Sequence, residues 1–243
     1  MTNVALEIAV QDAAGARIAM GSGADRLELC QALGVGGLTP SAGTIEQVVD
    51  AVGGSRVAVL IRPRPGGFVY DADEVALVEL DIRRAVASGA AGVVVGALTA
   101  AGEVASEALK RWIDAAGEAE VAFHRAIDTL PEPETALPSL IEMGVKRILT
   151  SGGAERSIDG VGTLARLVAV AAGRIEIMAG GGVAVADIPT IVESGVAAVH
   201  LSAKRPAANH APSGPGGGAP TYDVTDGALV AAAASQLRGR ESV

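Results

Sequence analysis

Cysteine is nearly absent from this sequence, with one in 243 residues, and aromatic residues make up only 2% of the chain. A single cysteine excludes an internal disulfide framework and a zinc site of four thiolates. Basic residues are also few, 19 against 28 acidic residues, and the net charge of -9 argues against nucleic-acid binding. No basic segment followed by an apolar run begins the sequence, and no apolar run reaches the roughly 18 residues of a membrane span. We therefore expect a soluble cytoplasmic protein without nucleic-acid or membrane partners.

The chain is instead rich in small and β-branched residues, with 32 glycines and 49% hydrophobic residues. This composition is typical of parallel strands that are buried on both faces. Eight apolar runs of strand length recur at a mean spacing of roughly 28 residues, which fits one strand, one helix and two short loops. The runs are Val4–Val10, Arg26–Cys30, Val57–Arg62, Gly92–Leu98, Val121–Ile127, Arg147–Thr150, Ile175–Ala179 and Ala198–Ser202.

The segments between the runs carry helix signals. The stretch 71–74 (Asp-Ala-Asp-Glu) has the capping-box pattern and predicts a helix to about Ser88. The stretch 44–47 (Thr-Ile-Glu-Gln) repeats this pattern and predicts a second helix start. Pro138 falls inside the fifth predicted helix and should kink or split it. Residues 226–237 read as a final helix.

Eight successive βα units can form a closed barrel or an open doubly wound sheet. The dinucleotide-binding glycine fingerprint of an open sheet is missing after the first strand, where the sequence reads Gln-Asp-Ala-Ala. Glycines cluster late in the chain instead. We therefore predict a single-domain (β/α)8 TIM-type barrel over residues 1–243, with a flexible low-complexity loop at 206–220.

Active sites of such barrels form at the C-terminal ends of the strands, so polar residues within apolar strands are candidate site residues. A charge buried there implies a partner, since an unpaired buried charge is costly. As an enzyme, the chain would use His124 as general acid/base, Asp128 as its orienting partner and Arg62 as an anion clamp. Glu7 and Glu28 would form a second acid/base or a divalent-metal site. The alternative is that these charges only satisfy one another.

Two glycine-containing loops follow the sixth and seventh strands. Backbone N–H groups at such positions can bind a phosphate, so both loops together are a candidate phosphate cradle, with tight turning as the alternative. The residues of this cradle are Thr150, Ser151, Gly152, Gly153, Gly180, Gly181 and Gly182.

Soft metal ligands are scarce. Cu(I) prefers thiolate and thioether donors, and the chain offers Cys30 with scattered methionines but no C-x-x-C motif. A lone cysteine in an apolar strand is commonly an inert core residue. The residues alone therefore do not suggest copper.

Motifs spread over nearly the whole chain resemble those of the CutC family, whose members are named as copper homeostasis proteins. They are 6–8 (Leu-Glu-Ile), 23–30 (GADRLELC), 36–41 (GGLTPS), 61–66 (IRPRPG), 96–99 (GALT), 123–128 (FHRAID), 147–153 (RILTSGG), 177–183 (IMAGGGV) and 199–203 (VHLSA). The resemblance implies a TIM-type barrel, a cytoplasmic location and a role in copper handling. A copper ion would then use Cys30, which matches the family's cysteine, with His124 and His200, which match its histidine motifs.

The sequence departs from the family pattern where many relatives carry a second cysteine, here Ala9, and an acidic residue, here Gly67. The first change weakens a two-thiol copper site. The family resemblance favours copper binding, whereas the residues favour an enzyme acting on a small anionic or phosphorylated substrate, and the two functions are compatible. The partner is accordingly a copper ion or a small anion, and self-association into a homo-oligomer is plausible for this fold.

Overall fold

The computed structural model describes residues 4–208, 215 and 221–239 and shows eight parallel strands closed into a barrel. Every strand pairs with the next one in the chain, and the eighth pairs with the first. The strands are β1 (Ala5–Val10), β2 (Arg26–Leu29), β3 (Val57–Leu60), β4 (Gly92–Val95), β5 (Glu120–Phe123), β6 (Arg147–Thr150), β7 (Glu176–Gly180) and β8 (Ala198–Leu201). The predicted (β/α)8 barrel is confirmed.

Eight helices surround the sheet. They are α1 (Ala13–Gly21), α2 (Ala42–Val52), α3 (Ala72–Ala87), α4 (Ser106–Ala116), α5 (Leu137–Glu142), α6 (Val161–Ala171), α7 (Ile188–Glu193) and α8 (Gly227–Arg238). The capping box predicted for α3 is present, with Asp71 and Glu74 each accepting a hydrogen bond from the other's backbone N–H. The predicted start of α2 at Thr44 is wrong, because Ser41 caps that helix three residues earlier. The predicted fifth helix is divided into a short 3-10 helix (Pro133–Ala136) and α5, and Pro138 is the second residue of α5, where its missing N–H costs no intrahelical hydrogen bond.

Three strands end two to four residues earlier than predicted: β3 at Leu60, β4 at Val95 and β5 at Phe123, rather than at Arg62, Leu98 and Ile127. After β3, Ile61 still donates its backbone N–H to Val94 of β4, and from Arg62 onward the backbone bonds to a loop. The Arg62 N–H donates to Thr39 Oγ1 at 2.9 Å, and the Thr39 N–H donates to the Arg62 carbonyl at 3.0 Å. Arg62 and His124 therefore lie in the loops at the barrel mouth, directly after their strands.

Side chains alternate along each strand between the helices and the barrel interior. In β1, Leu6 and Ile8 belong to the large core between sheet and helices, whereas Glu7 and Ala9 face the interior. A polar residue at an inward-facing position of an otherwise apolar strand therefore points its side chain into the barrel interior. This arrangement brings charged groups from different strands together.

The end of the barrel opposite the mouth holds a charged cluster from the first residues of four strands. The Arg147 guanidinium bonds Glu176 at 2.9 Å and Glu120 at 3.2 Å, and Arg26 also pairs with Glu176. Each of these charges has an opposite charge in contact. This cluster is structural, as the position of Glu176 early in its strand predicts.

A two-stranded antiparallel sheet follows β8, formed by β9 (Lys204–Pro206) and β10 (Asp223–Thr225). The first residue of the predicted flexible loop, Pro206, therefore ends a strand, and most of the remaining loop (209–214 and 216–220) lies outside the described residues. Within the described part of the chain, each helix is too short or too polar to cross a bilayer.

Candidate active site at the barrel mouth

A cavity of about 70 Å³ lies at the C-terminal ends of the strands, where active sites of this fold form. It is lined by Glu28, Gly36, Leu60, Arg62, Phe68, His124, Arg125 and Leu149. Three of the predicted site residues, Glu28, Arg62 and His124, thus meet at one place. A larger groove of about 470 Å³, around Glu103 and Glu132, is lined by none of them.

His124 is buried, and its imidazole is neutral. Burial, together with the positive charge of Arg62, lowers the pKa of His124 to about 3. The Ala126 N–H donates to its Nδ1 at 3.1 Å, so the single ring proton is assigned to Nε2. This Nε2 is buried and has no partner among the described residues. His124 therefore offers a free N–H donor at the cavity.

Close packing fixes the orientation of the His124 ring. The Phe68 ring lies against it with 4.8 Å between the ring centroids. On the other side, a Cβ added at Gly96 would come within 2.4 Å of the imidazole. The glycine at this position thus makes room for the ring, which the Cβ of any other residue would displace.

Arg62 is buried without an ion-pair partner among the described residues. Its Nη1 donates to the Val35 and Gly37 carbonyls at 3.0 and 3.1 Å, and its Nη2 donates to the Gly66 carbonyl at 2.8 Å. Both terminal amino groups of the guanidinium are therefore engaged by backbone carbonyls. The predicted anion clamp, which needs these two groups for a bidentate contact, is wrong in its geometry. Only Nε is buried without a hydrogen-bond partner. Arg62 thus presents its Nε–H and carries a positive charge without an ion-pair partner among the described residues.

Glu7 links two strands inside the barrel because its neighbours in the sheet register are Arg26 on β2 and His200 on β8. Its carboxylate accepts from Arg26 Nε at 2.7 Å and contacts His200 Nδ1 at 2.9 Å. Burial alone would raise the pKa of Glu7, but the hydrogen bond and charge of His200, with Arg26, lower it to about 2. Burial alone would lower the pKa of His200. The hydrogen bond with Glu7 and the negative charges of Glu28 and Glu7 outweigh burial and raise it. The contact between Glu7 and His200 therefore favours the ionised form of each.

Glu28 lies beside this pair but differs from Glu7 in its bonding. Its Oε2 is buried and has no hydrogen-bond partner among the described residues. Burial, and secondarily the negative charge of Glu7, raises the pKa of Glu28 to about 7, against the lowering effect of His200. A carboxyl group with this pKa can both accept and donate a proton near neutral pH.

Glu7, Glu28 and His200 could also hold a metal ion, since one ligand atom from each lies within 4.8 Å of the others. Two carboxylates and an imidazole suit a divalent ion rather than Cu(I). Of the residues predicted as metal ligands, His200 belongs to this group, whereas Cys30 and His124 do not.

Cys30 is completely buried among the apolar side chains of Ala9, Leu60, Val94 and Ala122. Burial raises the pKa of its thiol, with a further contribution from the charge of Glu28. The thiolate that binds metal is therefore disfavoured. The position fits an inert core residue better than a copper ligand.

The predicted pairing of Asp128 with His124 is not observed. β5 ends at Phe123, and residues 125–129 form a 3-10 helix, so the strand alternation behind the prediction does not extend to Asp128. Its carboxylate instead accepts hydrogen bonds from Arg125 Nε at 2.8 Å and from Ser151 N at 3.0 Å.

Asp128 also takes the place that the sequence predicts for a phosphate. Its carboxylate accepts from the Thr150 hydroxyl and from the N–H groups of Ser151 and Gly153, and the Gly152 N–H donates to Thr150 Oγ1. The donors of the loop after β6 are therefore occupied by the chain's own carboxylate. The first half of the predicted phosphate cradle is thus wrong.

The glycines after β7 make room for arginines. A Cβ at Gly181 would lie 2.8 Å from Arg125 Cζ, and one at Gly182 would lie 2.9 Å from Arg156 Cγ. Gly180, the last residue of β7, lies similarly close to His200 Cβ, at 3.0 Å. Packing therefore accounts for these glycines without a bound phosphate.

Arg125 is a charged residue of the cavity wall for which the sequence predicts no role. It follows His124 directly in the FHRAID motif, and its side chain is 42% exposed. Its charge within the predicted apolar run Val121–Ile127 marks it as a candidate, but this signal gives it no role. The structure places its charge at the cavity wall.

Comparisons with known proteins agree with this architecture. The model of the CutC family matches residues 4–205. A relative from Agrobacterium fabrum, described as family protein CutC, is 45% identical over 78% of this chain and 74% of its own length. One from Xanthomonas campestris pv. campestris, strain 8004, is 43% identical over 85% of this chain and 87% of its own length.

Solved structures extend the similarity to three dimensions. A protein from Streptococcus agalactiae described as a copper homeostasis protein CutC has a TM-score of 0.76 and 32% identity, covering 82% of this chain and 98% of that one. A phosphoribosyl anthranilate isomerase from Thermus thermophilus has a TM-score of 0.58 at 16% identity, covering 98% of this chain and 100% of that one, and shares the fold alone. With the family model matched over most of its length, this chain belongs to the CutC family.

Proposed function

We propose that this chain is an enzyme that moves a proton at a small anionic substrate bound in the barrel mouth. Glu28 is the general acid/base, and His124 and Arg62 donate hydrogen bonds to the substrate oxygen on which negative charge develops. The reaction class that these roles support is proton transfer at a carbon next to a carbonyl group.

Four buried polar side-chain atoms have no hydrogen-bond partner among the described residues: Glu28 Oε2, Arg62 Nε, His124 Nε2 and Tyr70 Oη. The observation that carries this proposal is that the first three belong to residues of one cavity. Buried polar groups are normally hydrogen-bonded, because an unsatisfied one costs about 1–3 kcal/mol. Three exceptions at one cavity are what a site built for a polar ligand requires.

The roles follow from the protonation states. A carboxyl group with a pKa of about 7 is matched to proton transfer at neutral pH. A neutral imidazole that presents Nε2–H can donate to a developing oxyanion without losing its own proton. This assignment revises the sequence-based hypothesis, in which His124 is the acid/base.

The cavity limits the size of the reacting group. Its volume of about 70 Å³ is well below the roughly 300–1,000 Å³ of sites that enclose drug-sized ligands. It can enclose only a few non-hydrogen atoms, so the substrate is small or inserts only its reacting end.

Solvent exchange tests the proposal directly. Pyruvate and dihydroxyacetone phosphate each carry an exchangeable C–H beside a carbonyl, and incorporation of deuterium from D₂O is followed by proton NMR. We expect exchange of at least one probe with wild type and a loss of about 100-fold or more in Glu28→Gln. Glu103→Gln, which removes an exposed acid from the separate groove, is the matched control. Exchange that persists unchanged in Glu28→Gln, or none with either probe, contradicts the proposal.

Copper handling is the second candidate function, supported by membership of the CutC family and by the Glu7, Glu28 and His200 group. The donor set fits Cu(II) among the divalent ions, whereas Cu(I) would need the buried thiol of Cys30. We therefore propose that copper, if it is the cargo, binds as Cu(II) inside the barrel.

A competition titration with both copper oxidation states tests this candidate. We expect one Cu(II) per chain, with binding lost in His200→Asn and retained in Cys30→Ala. Tight Cu(I) binding that disappears in Cys30→Ala would contradict the assigned ligands. Binding of neither ion would remove copper from the function.

We also propose a cytoplasmic location. The single cysteine is buried and cannot form a disulfide within the chain, so an oxidising compartment would add no stabilising bond. Cell fractionation with an antibody against the chain tests it, and recovery in a membrane or extracellular fraction would contradict it.

A further inference from the structure

We propose that Arg125 binds the anionic group of the substrate, a carboxylate or a phosphate, at the rim of the cavity. This inference rests on the proposed function and adds the substrate class: a small molecule with an anionic group beyond its reacting carbonyl. Arg62 and His124 hold the reacting end, and Arg125 holds the charged end.

The guanidinium of Arg125 is held in place before any ligand arrives. Its Nε donates to Asp128 Oδ2 at 2.8 Å and its Nη2 donates to Ser151 Oγ at 3.0 Å. It packs against Gly181, where a Cβ would lie 2.8 Å from Cζ and 2.9 Å from Nη1. Nη1 has no hydrogen-bond partner in the part of the chain that the structure describes. An arginine fixed on two sides with one amino group free is arranged to bind a ligand.

Asp128 neutralises Arg125 only in part. The same carboxylate also accepts from the Thr150 hydroxyl, from both the N–H and the hydroxyl of Ser151, and from the Gly153 N–H. Its negative charge is spread over all these donors. Asp128 is thus a positioning residue for Arg125.

A second, independent feature indicates an anion. Arg62 lines the same cavity, is 7% exposed and makes no ion pair within the described residues, and its Nε lacks a partner. A buried cation without a counter-ion is costly, and a bound anion would relieve that cost. The cavity wall thus carries two guanidinium groups against the single carboxyl group of Glu28.

Anion binding can be measured without turnover. The probes are inorganic phosphate and acetate, titrated separately while the side-chain Nε–H signals of ¹⁵N-labelled arginine are followed by NMR. We expect saturable binding of one probe, a shift of the Arg125 signal, and affinity about tenfold or more weaker in Arg125→Ala. Arg125→Lys, which keeps the charge but loses the fork, should be intermediate. The probe that binds more tightly distinguishes a phosphate from a carboxylate substrate.

Two further variants separate binding from folding and from surface charge. Arg156→Ala removes an exposed arginine of the neighbouring loop, which pairs with Asp187, and should leave the affinity unchanged. Gly181→Ala keeps Arg125 in the chain but displaces it, and should weaken binding as Arg125→Ala does.

Equal weakening in Arg156→Ala and Arg125→Ala, or no saturable binding of either probe, would overturn the assignment. Glu28→Gln should bind the probe at least as well as wild type. Anion binding that persists while deuterium exchange is absent would therefore reject the proposed reaction and leave the role of Arg125 intact.

Discussion

Replacing Glu28 with glutamine should make the protein more stable at alkaline pH and leave its stability unchanged in acid. The pKa of Glu28 is about 7 in the folded chain against an ordinary value of 4.5. Because the folded-state pKa is raised, the unfolded chain ionises this group first, and the fold loses stability as pH rises from about 4.5 to 7. One pKa unit corresponds to about 1.36 kcal/mol, so the full loss is about 3 kcal/mol. Glutamine has the same shape and cannot ionise.

Thermal and urea unfolding at pH 4.5 and pH 8 measure this difference. The single tryptophan, Trp112, is buried, and its fluorescence reports the loss of the core. At pH 8 we expect Glu28→Gln to melt about 6–12 °C above wild type, from roughly 2–4 °C per kcal/mol for a chain of this size. At pH 4.5 the two proteins should differ by under about 1 kcal/mol. A gain that is equal at both pH values, or a loss at pH 8, would refute the reasoning.

Three other substitutions probe the interior. Glu7→Gln should destabilise the fold by about 3 kcal/mol or more at neutral pH in urea unfolding, since it removes the buried carboxylate that pairs with Arg26 and bonds His200. Because the pKa of Glu7 is lowered to about 2, wild type should lose this stabilisation as pH falls from about 4.5 through 2. Equal stability of both proteins at pH 7 would contradict the pairing. Cys30 should react with a thiol reagent only at the rate of unfolding, and fast labelling of the native protein would show that it is accessible. Gly96→Ala should displace the His124 ring and lower deuterium exchange about 100-fold, whereas unchanged exchange would exclude His124 from the reaction.

The barrel could be predicted because its signal is repeated eight times along the chain. Each strand is a short apolar run, and the small residues allow close packing of helices against the sheet. Strand ends were harder to place. The backbone of Arg62 already bonds to the loop at Thr39, and His124 keeps a backbone hydrogen bond to Val95 of β4 but begins a 3-10 helix, while the buried pattern continues past both residues. The apolar pattern of the sequence reports which side chains are buried, and buried side chains continue past the last hydrogen bond between neighbouring strands.

Candidate site residues were predictable where a charge interrupts an apolar strand. Glu7, Glu28 and His200 were all found in this way, and the sheet register then places Glu7 beside His200. The role of Asp128 was not predictable, because its partners other than Arg125 lie 22 to 25 residues away, at the end of β6 and in the loop after it. For the same reason the sequence predicts a phosphate at Gly152 and Gly153, although their N–H groups donate to Thr150 and Asp128 of the chain itself.

The two ends of the barrel interior differ in a way that separates structural charges from functional ones. Away from the mouth, Arg147 and Glu176 are paired through short contacts, as a self-satisfied layer requires. At the mouth, Arg62 is as buried as Arg147 and Glu28 is more buried than Glu176, yet each retains an atom without a partner among the described residues. If the interior charges served only to satisfy one another, the charged groups at the mouth would be paired as those at the opposite end are. Both ends belong to one barrel, so the unpaired groups at the mouth are best explained by a ligand that completes them.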